Sequence, residues 1–336
     1  MVSLDTRYKG DHVKLRQSMI KFPCHSGYNI EICGSGIRPL PSFLNNQLVK
    51  ILEDLGVPSA AFLKLQADEI NRLRSAIKST EDAVAFVEGS HIAKSVHLPW
   101  MFRMLKGLKL AYFRDDFLRQ VMELALLMKL RDLKYRARIP VPKAVTLYGI
   151  MDETGYLKEG EIFCCFLTPE GYREILVRKN VAITRAPALH PGDVQVVNAV
   201  DVPEDSPLRR LHNCIVFSQH GKRDLPSMLS GGDLDGDLYN VIYDDSLIPP
   251  ELASSPADYP RVPAIDLGRP VQPDDITDFF VTFMQQDQLG RIAIAHQVFA
   301  DQRKDGTFDP TCLLLAELHS TAVDFSKTGI PVSYFC

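Results

Sequence analysis

From Ile139 to about residue 245 the chain is a succession of short apolar runs punctuated by glycine and proline, and this stretch limits the fold more than any other feature. Runs fall at 144–150, 161–166, 173–177, 181–184, 194–200, 213–217 and 238–243. Runs this short, bounded by turn formers, read as strands. Short strands with turns between them and no helices predict a small closed β-barrel. Ile139-Pro140-Val141-Pro142 ends the helix before it, because proline lacks a backbone donor and clashes inside a helix. Upstream the spacing is helical, first over 45–55 with a stop at Gly56. It continues over 62–87 (Phe62, Leu65, Ile70, Leu73, Ile77) and 114–133 (Phe117, Val121, Leu124, Met128, Leu133). Downstream, Pro249, Pro250, Pro256, Pro260, Pro263, Pro270 and Pro273 mark a linker, and helices are expected at 274–285, 289–299 and 311–323. The class is α+β, a barrel with helical regions before and after it.

Just ahead of the last strand lies Gly231-Gly232-Asp233-Leu234-Asp235-Gly236-Asp237. Side chains at alternate positions of an extended loop converge on one face, so Asp233, Asp235 and Asp237 meet there. Gly231, Gly232 and Gly236 give the loop its conformational range and let a bulky ligand approach. Three carboxylates held together repel one another, which makes sense chiefly around a cation. Oxygen-only ligands favour a hard ion, Mg²⁺ or Mn²⁺, over zinc. The plain alternative is a solvated acidic turn. A calcium EF-hand loop is excluded, because its sixth and twelfth positions, here Leu238 and Asp244, should be glycine and glutamate. The Asp-Leu-Asp-Gly-Thr phosphatase motif of haloacid dehalogenases fits poorly, since a turn-rich segment (225–232) replaces the strand that should lead in and Asp237 stands at the threonine.

The 336 residues carry a formal net charge of −4, which argues against non-specific attraction to nucleic acid. Arg173, Arg178, Lys179, Arg185, Lys222 and Arg223 still leave room for a local basic surface near the aspartates. Seven cysteines, odd in number and without a Cys-x-x-Cys pair, argue against a disulfide frame or a zinc site and for a reduced, intracellular protein. Adjacent Cys164 and Cys165 read as packing residues in an apolar strand. Asp5, Arg7, Lys9 and Asp11 interrupt any secretory signal, and no greasy stretch, 124–128 included, is long enough to cross a bilayer. A soluble protein of the nucleus or cytoplasm, not secreted and not membrane-bound, is the expectation.

The aspartate run resembles the catalytic motif of cellular RNA-dependent RNA polymerases, the eukaryotic enzymes of RNA silencing. Further segments resemble that family in the same order. They are Arg16-Gln17-Ser18-Met19-Ile20-Lys21-Phe22, Phe43-Leu44-Asn45-Asn46-Gln47 (with Asn46 at a usually basic position), and Gly149-Ile150-Met151-Asp152-Glu153-Thr154-Gly155-Tyr156-Leu157. Thr184-Arg185-Ala186-Pro187-Ala188-Leu189-His190-Pro191-Gly192-Asp193 follows, then Leu289-Gly290-Arg291-Ile292 with His296 and Asp301, and Val323-Asp324-Phe325-Ser326-Lys327-Thr328-Gly329. His190-Pro191-Gly192-Asp193 by itself is explained as a tight turn between strands with His190 and Asp193 hydrogen-bonded locally.

The resemblance implies a catalytic double-psi β-barrel over 138–248. It makes 1–40 the tail of a truncated first barrel, 41–137 a helical connector, 249–273 the Pro-rich linker, and 274–336 a truncated C-terminal helical region. It implies nucleotidyl transfer to an RNA 3′-hydroxyl by two metal ions held at Asp233, Asp235 and Asp237, producing double-stranded RNA for silencing. Arg16 and Lys21, followed by Lys9, Arg185 and Lys327, are the residues it implies for the nucleotide and RNA. Expected partners are the RNA template and nascent strand, ribonucleoside triphosphates and silencing-pathway proteins. The alternative is a truncated, inactive remnant that at most binds RNA or a partner protein.

Overall fold

The computed structural model describes residues 10, 12–15, 17–20, 31–90, 96–168, 170–250, 254–260 and 262–332. Lys9, Arg16 and Lys21 lie outside the described residues.

Eight strands are present among the described residues: β1 (Leu40–Phe43), β2 (Pro140–Met151), β3 (Glu161–Leu167), β4 (Arg173–Leu176), β5 (Arg178–Arg185), β6 (Val194–Ala199), β7 (Cys214–Phe217) and β8 (Leu238–Ile242). A ring runs β2-β7-β3-β6-β5-β8 and returns to β2. Pairs β2–β7 and β3–β6 are parallel and the other ring pairs antiparallel. This is a double-psi β-barrel. Closure depends on the length of β2, whose 12 residues serve two neighbours in succession. Ala144 to Tyr148 face β8, and Tyr148 to Met151 face β7. The run at 173–177 does form a strand, β4, but it pairs only with β3 and takes no part in closure. β1, which the sequence reading did not mark, lies outside the ring on β2.

Residues of one parity from every ring strand meet in a single buried cluster, among them Leu147, Ile162, Val181, Val197, Ile215 and Tyr239. The opposite parity is buried too. Phe163, Cys165 and Val216 lie under Leu157, Val202 and Leu208, while Ala144, Ala182 and Ile242 lie under a helix. Strands covered on both faces lose their polar alternation, which is why β3 carries the unbroken run Ile162-Phe163-Cys164-Cys165-Phe166.

That covering helix is α1 (Asn46–Asp54), which presents Leu48, Ile51 and Leu52. Asn45 caps it, its side-chain oxygen accepting the Leu48 N–H at 2.8 Å. The continuous helix expected over 62–87 is instead two, α2 (Ser59–Ala76) and α3 (Thr80–Gly89). Ser79 caps the second, accepting the Asp82 N–H at 3.1 Å, so a local side chain overrides the periodicity. α4 (Leu98–Gly107) was not anticipated, and α5 (Asp116–Arg136) buries Leu118, Met122, Ala125 and Leu133. Of the residues that carried the helical spacing, Phe117, Leu124 and Met128 are exposed while Leu133 is buried; α5 is apolar on both sides.

After the short turn α6 (Leu225–Met228) and the last strand come α7 (Pro273–Gln286), α8 (Leu289–Gln302), α9 (Pro310–Val323) and α10 (Phe325–Thr328). Asp54 of α1 ties this region back, taking the Thr307 N–H at 2.7 Å and the Lys50 ammonium at 2.7 Å. Among the described residues no helix is long and apolar enough to cross a membrane.

Candidate active site

The aspartate loop connects α6 to β8. Asp237 closes it on itself, its Oδ2 accepting the Asp233 N–H at 2.9 Å, and Asp233 Oδ1 accepts the Asp235 N–H at 3.2 Å. Tyr239 reaches back from β8 and donates its hydroxyl to the Asp233 carbonyl at 2.7 Å. Burial and the charge of Asp237 push the Tyr239 phenol far above its ordinary range, so it stays a donor. Its ring crosses β2 at Gly149, where a Cβ would lie 2.5 Å from it. At Gly232 a Cβ would lie 2.7 Å from both Arg185 Cδ and the Tyr239 hydroxyl, so the loop can pass between them only as glycine. Gly236, by contrast, faces open space.

One oxygen from each of Asp233, Asp235 and Asp237 can be chosen so that all lie within 4.8 Å of one another. Ligands about 2.1 Å from a Mg²⁺ ion lie about 3–4 Å apart, so the triad fits a hard cation with little contraction. Asp235 is the exposed member. Its neighbour Asp233, then partial burial, then the charge of Asp237, raise its carboxyl above the usual range, while Lys327 pulls it back. A cation would relieve that repulsion.

Two of the nominated basic residues are brought to this loop. Arg185, at the end of β5, grips Asp237 with a fork, Nε to Oδ2 at 2.7 Å and Nη2 to Oδ1 at 3.0 Å. Its third nitrogen donates to the Ser230 carbonyl at 3.1 Å. Its donors are thus engaged in fixing the loop. Lys327, on α10, is exposed, lies 3.6 Å from Asp324, and acts on Asp235 through its charge. Three further basic residues of the barrel are engaged locally: Arg178 by Asp245, Arg173 by the Cys165 sulfur and Leu211 carbonyl, and Arg223 by Ser227.

His190 to Asp193 form a tight turn, with His190 Nδ1 accepting the Gly192 N–H at 2.9 Å and Asp193 Oδ2 accepting the Leu189 and His190 N–H groups at 3.0 Å each. Asp152, in the segment between β2 and β3, is fully buried and accepts from Thr154 and Leu157, which makes it a turn builder. Cys164 and Cys165 are fully buried. Sequence reasoning missed Tyr239 and Ser230 as parts of the site. The only local signals were an aromatic residue two places past the last aspartate and a serine before the glycine pair.

A closed double-psi barrel that presents a cation-sized carboxylate triad ahead of its last strand is the class this fold and site define. Residues 1–335 match the family model described as RNA dependent RNA polymerase, and the chain belongs to that family. It is 38% identical over 341 residues to RNA-dependent RNA polymerase 6 of Arabidopsis thaliana, an alignment covering 96% of this chain and 28% of that protein. It is 34% identical over 323 residues to Probable RNA-dependent RNA polymerase 1 of Oryza sativa subsp. japonica, covering 95% and 42%. RNA-dependent RNA polymerase 1 of Schizosaccharomyces pombe (strain 972 / ATCC 24843) is 34% identical over 316 residues, covering 85% and 25%. The chain therefore spans less than half the length of these relatives. Among solved structures, RNA dependent RNA polymerase QDE-1 from Thielavia terrestris has the same fold, with a TM-score of 0.65 and 21% identity over 88% of this chain and 36% of that one.

Proposed function

We propose that the chain carries the catalytic barrel of an RNA-directed RNA polymerase that makes double-stranded RNA for silencing, working in the nucleus or cytoplasm with other proteins of that process. The observation that carries this reading is the convergence of Asp233, Asp235 and Asp237 on a loop open at Gly236, in a chain of this family. The three carboxylates would hold Mg²⁺, or Mn²⁺ in its place, with the open side left for phosphate and hydroxyl oxygens. When bound, a pair of such ions supplies activation of the RNA 3′-hydroxyl and charge compensation for departing pyrophosphate. Arg185 holds Asp237 in a two-pronged grip, so that one ligand direction is fixed before substrate arrives. Lys327 adds positive charge on the exposed side, beside Asp235, where a triphosphate would enter. Arg16, Lys21 and Lys9 complete the proposed triphosphate and RNA contacts. Base choice falls to pairing with the template, so the chain needs no base-reading side chain.

Primer extension on an RNA template with Mg²⁺ and ribonucleoside triphosphates tests this. Template-dependent incorporation should fall by about a thousandfold or more in Asp235→Ala, the loss of several kcal/mol of charge stabilisation. A folded, monodisperse wild-type chain that binds RNA but incorporates nothing would instead support the inactive-remnant reading.

A further inference from the structure

The segment 254–260, expected as part of a linker, is a strap lying on the barrel. Its backbone crosses Gly192 so closely that a Cβ there would lie 2.7 Å from Pro256 Cα. Gln195 donates to the Gly192 carbonyl at 2.8 Å and to Ser254 on the strap at 3.5 Å. Tyr259 ends the crossing, with its Cβ 3.2 Å from where a Gly231 Cβ would stand and its hydroxyl donating to Asp193 Oδ1 at 2.7 Å.

Asp193 is 1% exposed and divides its two oxygens between two tasks. Oδ2 takes the Leu189 and His190 N–H groups, and these bonds suffice to make the His190–Asp193 turn. Oδ1 points away from that turn and takes the Ser230 N–H at 3.1 Å together with the Tyr259 hydroxyl. A turn former has no need of the second pair.

Ser230 and Gly231 are consecutive left-handed residues, φ +51° and +63°, from which the aspartates are projected. A serine in this region is strained and persists only where its surroundings hold it. All of its polar groups are held by one segment: N–H by Asp193, hydroxyl by the Pro187 carbonyl, carbonyl by Arg185. Residues 185–193 thus form a cradle for the corner of the aspartate loop, and Tyr259 locks the one buried carboxylate in it.

We infer that Asp193 and Tyr259 are positioning residues for the aspartate triad, acting by clamping the left-handed Ser230–Gly231 corner beneath the strap. The assignment rests on the reading of the triad as a cation site and goes beyond it by naming what aims the carboxylates.

Tyr259→Phe removes one hydroxyl and keeps the ring, so the full chain stays folded. Two readouts follow it: amide hydrogen exchange resolved along the chain, and Mn²⁺ binding by paramagnetic resonance. Loss of a hydrogen bond to a buried carboxylate should speed exchange over 229–237 about tenfold and weaken Mn²⁺ binding by a similar factor. Exchange in β3 and β7 should stay at wild-type rates. Wild-type loop exchange and Mn²⁺ affinity in the variant overturn the assignment. So does faster exchange spread equally into β3 and β7, which would make Tyr259 a general stabiliser. A wild-type chain that takes up no Mn²⁺ overturns the cation reading, and a loop that still loosens in Tyr259→Phe then supports the clamp by itself.

Discussion

Asp235 stands beside Asp233 and Asp237 with its carboxyl raised above the usual range, so without a cation its charge works against the fold that presents it. Asp235→Asn should therefore raise the melting temperature in chelator, by about 1–2 °C for a chain of this size. In excess Mg²⁺ the order should reverse, because only the wild type gains stability by binding. A lower melting temperature in chelator would mean that Asp235 braces the loop instead. Gly232→Ala is the opposite case. Its Cβ would meet Arg185, Tyr239 and the Pro226 carbonyl, so it should cost about 1–3 kcal/mol in thermal or denaturant unfolding and abolish cation binding. An unchanged unfolding midpoint would show that the loop has slack here. The aspartates were legible in the sequence because alternate carboxylates between glycines form a local pattern. Their supports were not: Arg185 lies 52 residues from Asp237, and Tyr259 lies 66 from Asp193. The first contact comes from closure of the barrel and the second from the strap laid over it, and neither leaves a local trace.

At the scale of elements, strand positions were legible because both faces of the ring are buried and apolar runs stand out between turns. Ring order was not, since the β2–β8 and β2–β7 pairings are matters of chain crossing rather than composition. The division between α2 and α3 was written in Ser79 and Asp82, a capping signal outweighed in reading by the apolar spacing around it. In α5 the spacing marked the helix but not its buried side, because two apolar faces satisfy the same period. α10 is too short to stand alone and is seated by Phe325, whose ring lies 5.8 Å from Phe279 and 5.3 Å from Phe283 of α7. Ile265 donates its N–H to the Thr328 carbonyl at 2.9 Å and holds the other end. Phe325→Ala should cost about 3 kcal/mol in this region and raise KM for the nucleotide by displacing Lys327, with Phe325→Leu recovering most of both. Steady-state kinetics with an unchanged KM would separate Lys327 from the triphosphate.

Across the whole molecule, the C-terminal helices meet the barrel side through neutral histidines. His296 of α8 is 3% exposed, its Nε2 has no hydrogen-bond partner, and burial followed by the neighbouring His319 lowers its pKa to about 4. Leu189 and Asp54 oppose that shift, His190 adds to it, and His319 and His190 are themselves lowered by burial. A histidine depressed in the folded state binds more protons when unfolded, so stability is intact above pH 6.5 and is lost as pH falls toward 4. Between pH 7 and 5 the wild type should lose about 2 kcal/mol more than His296→Gln, measured by denaturant unfolding at each pH. Parallel pH profiles would remove His296 from this account. The strap has a consequence in time as well as in space. Every ring strand precedes residue 250, whereas Tyr259 and Ile265 come after it. A nascent chain can therefore close its barrel on the ribosome while the aspartate corner, already cradled by residues 185–193, still lacks the Tyr259 lock. Maturation of the site becomes a separate, later event than folding of its scaffold, and a chain stalled or cut between the two keeps the architecture without the aim.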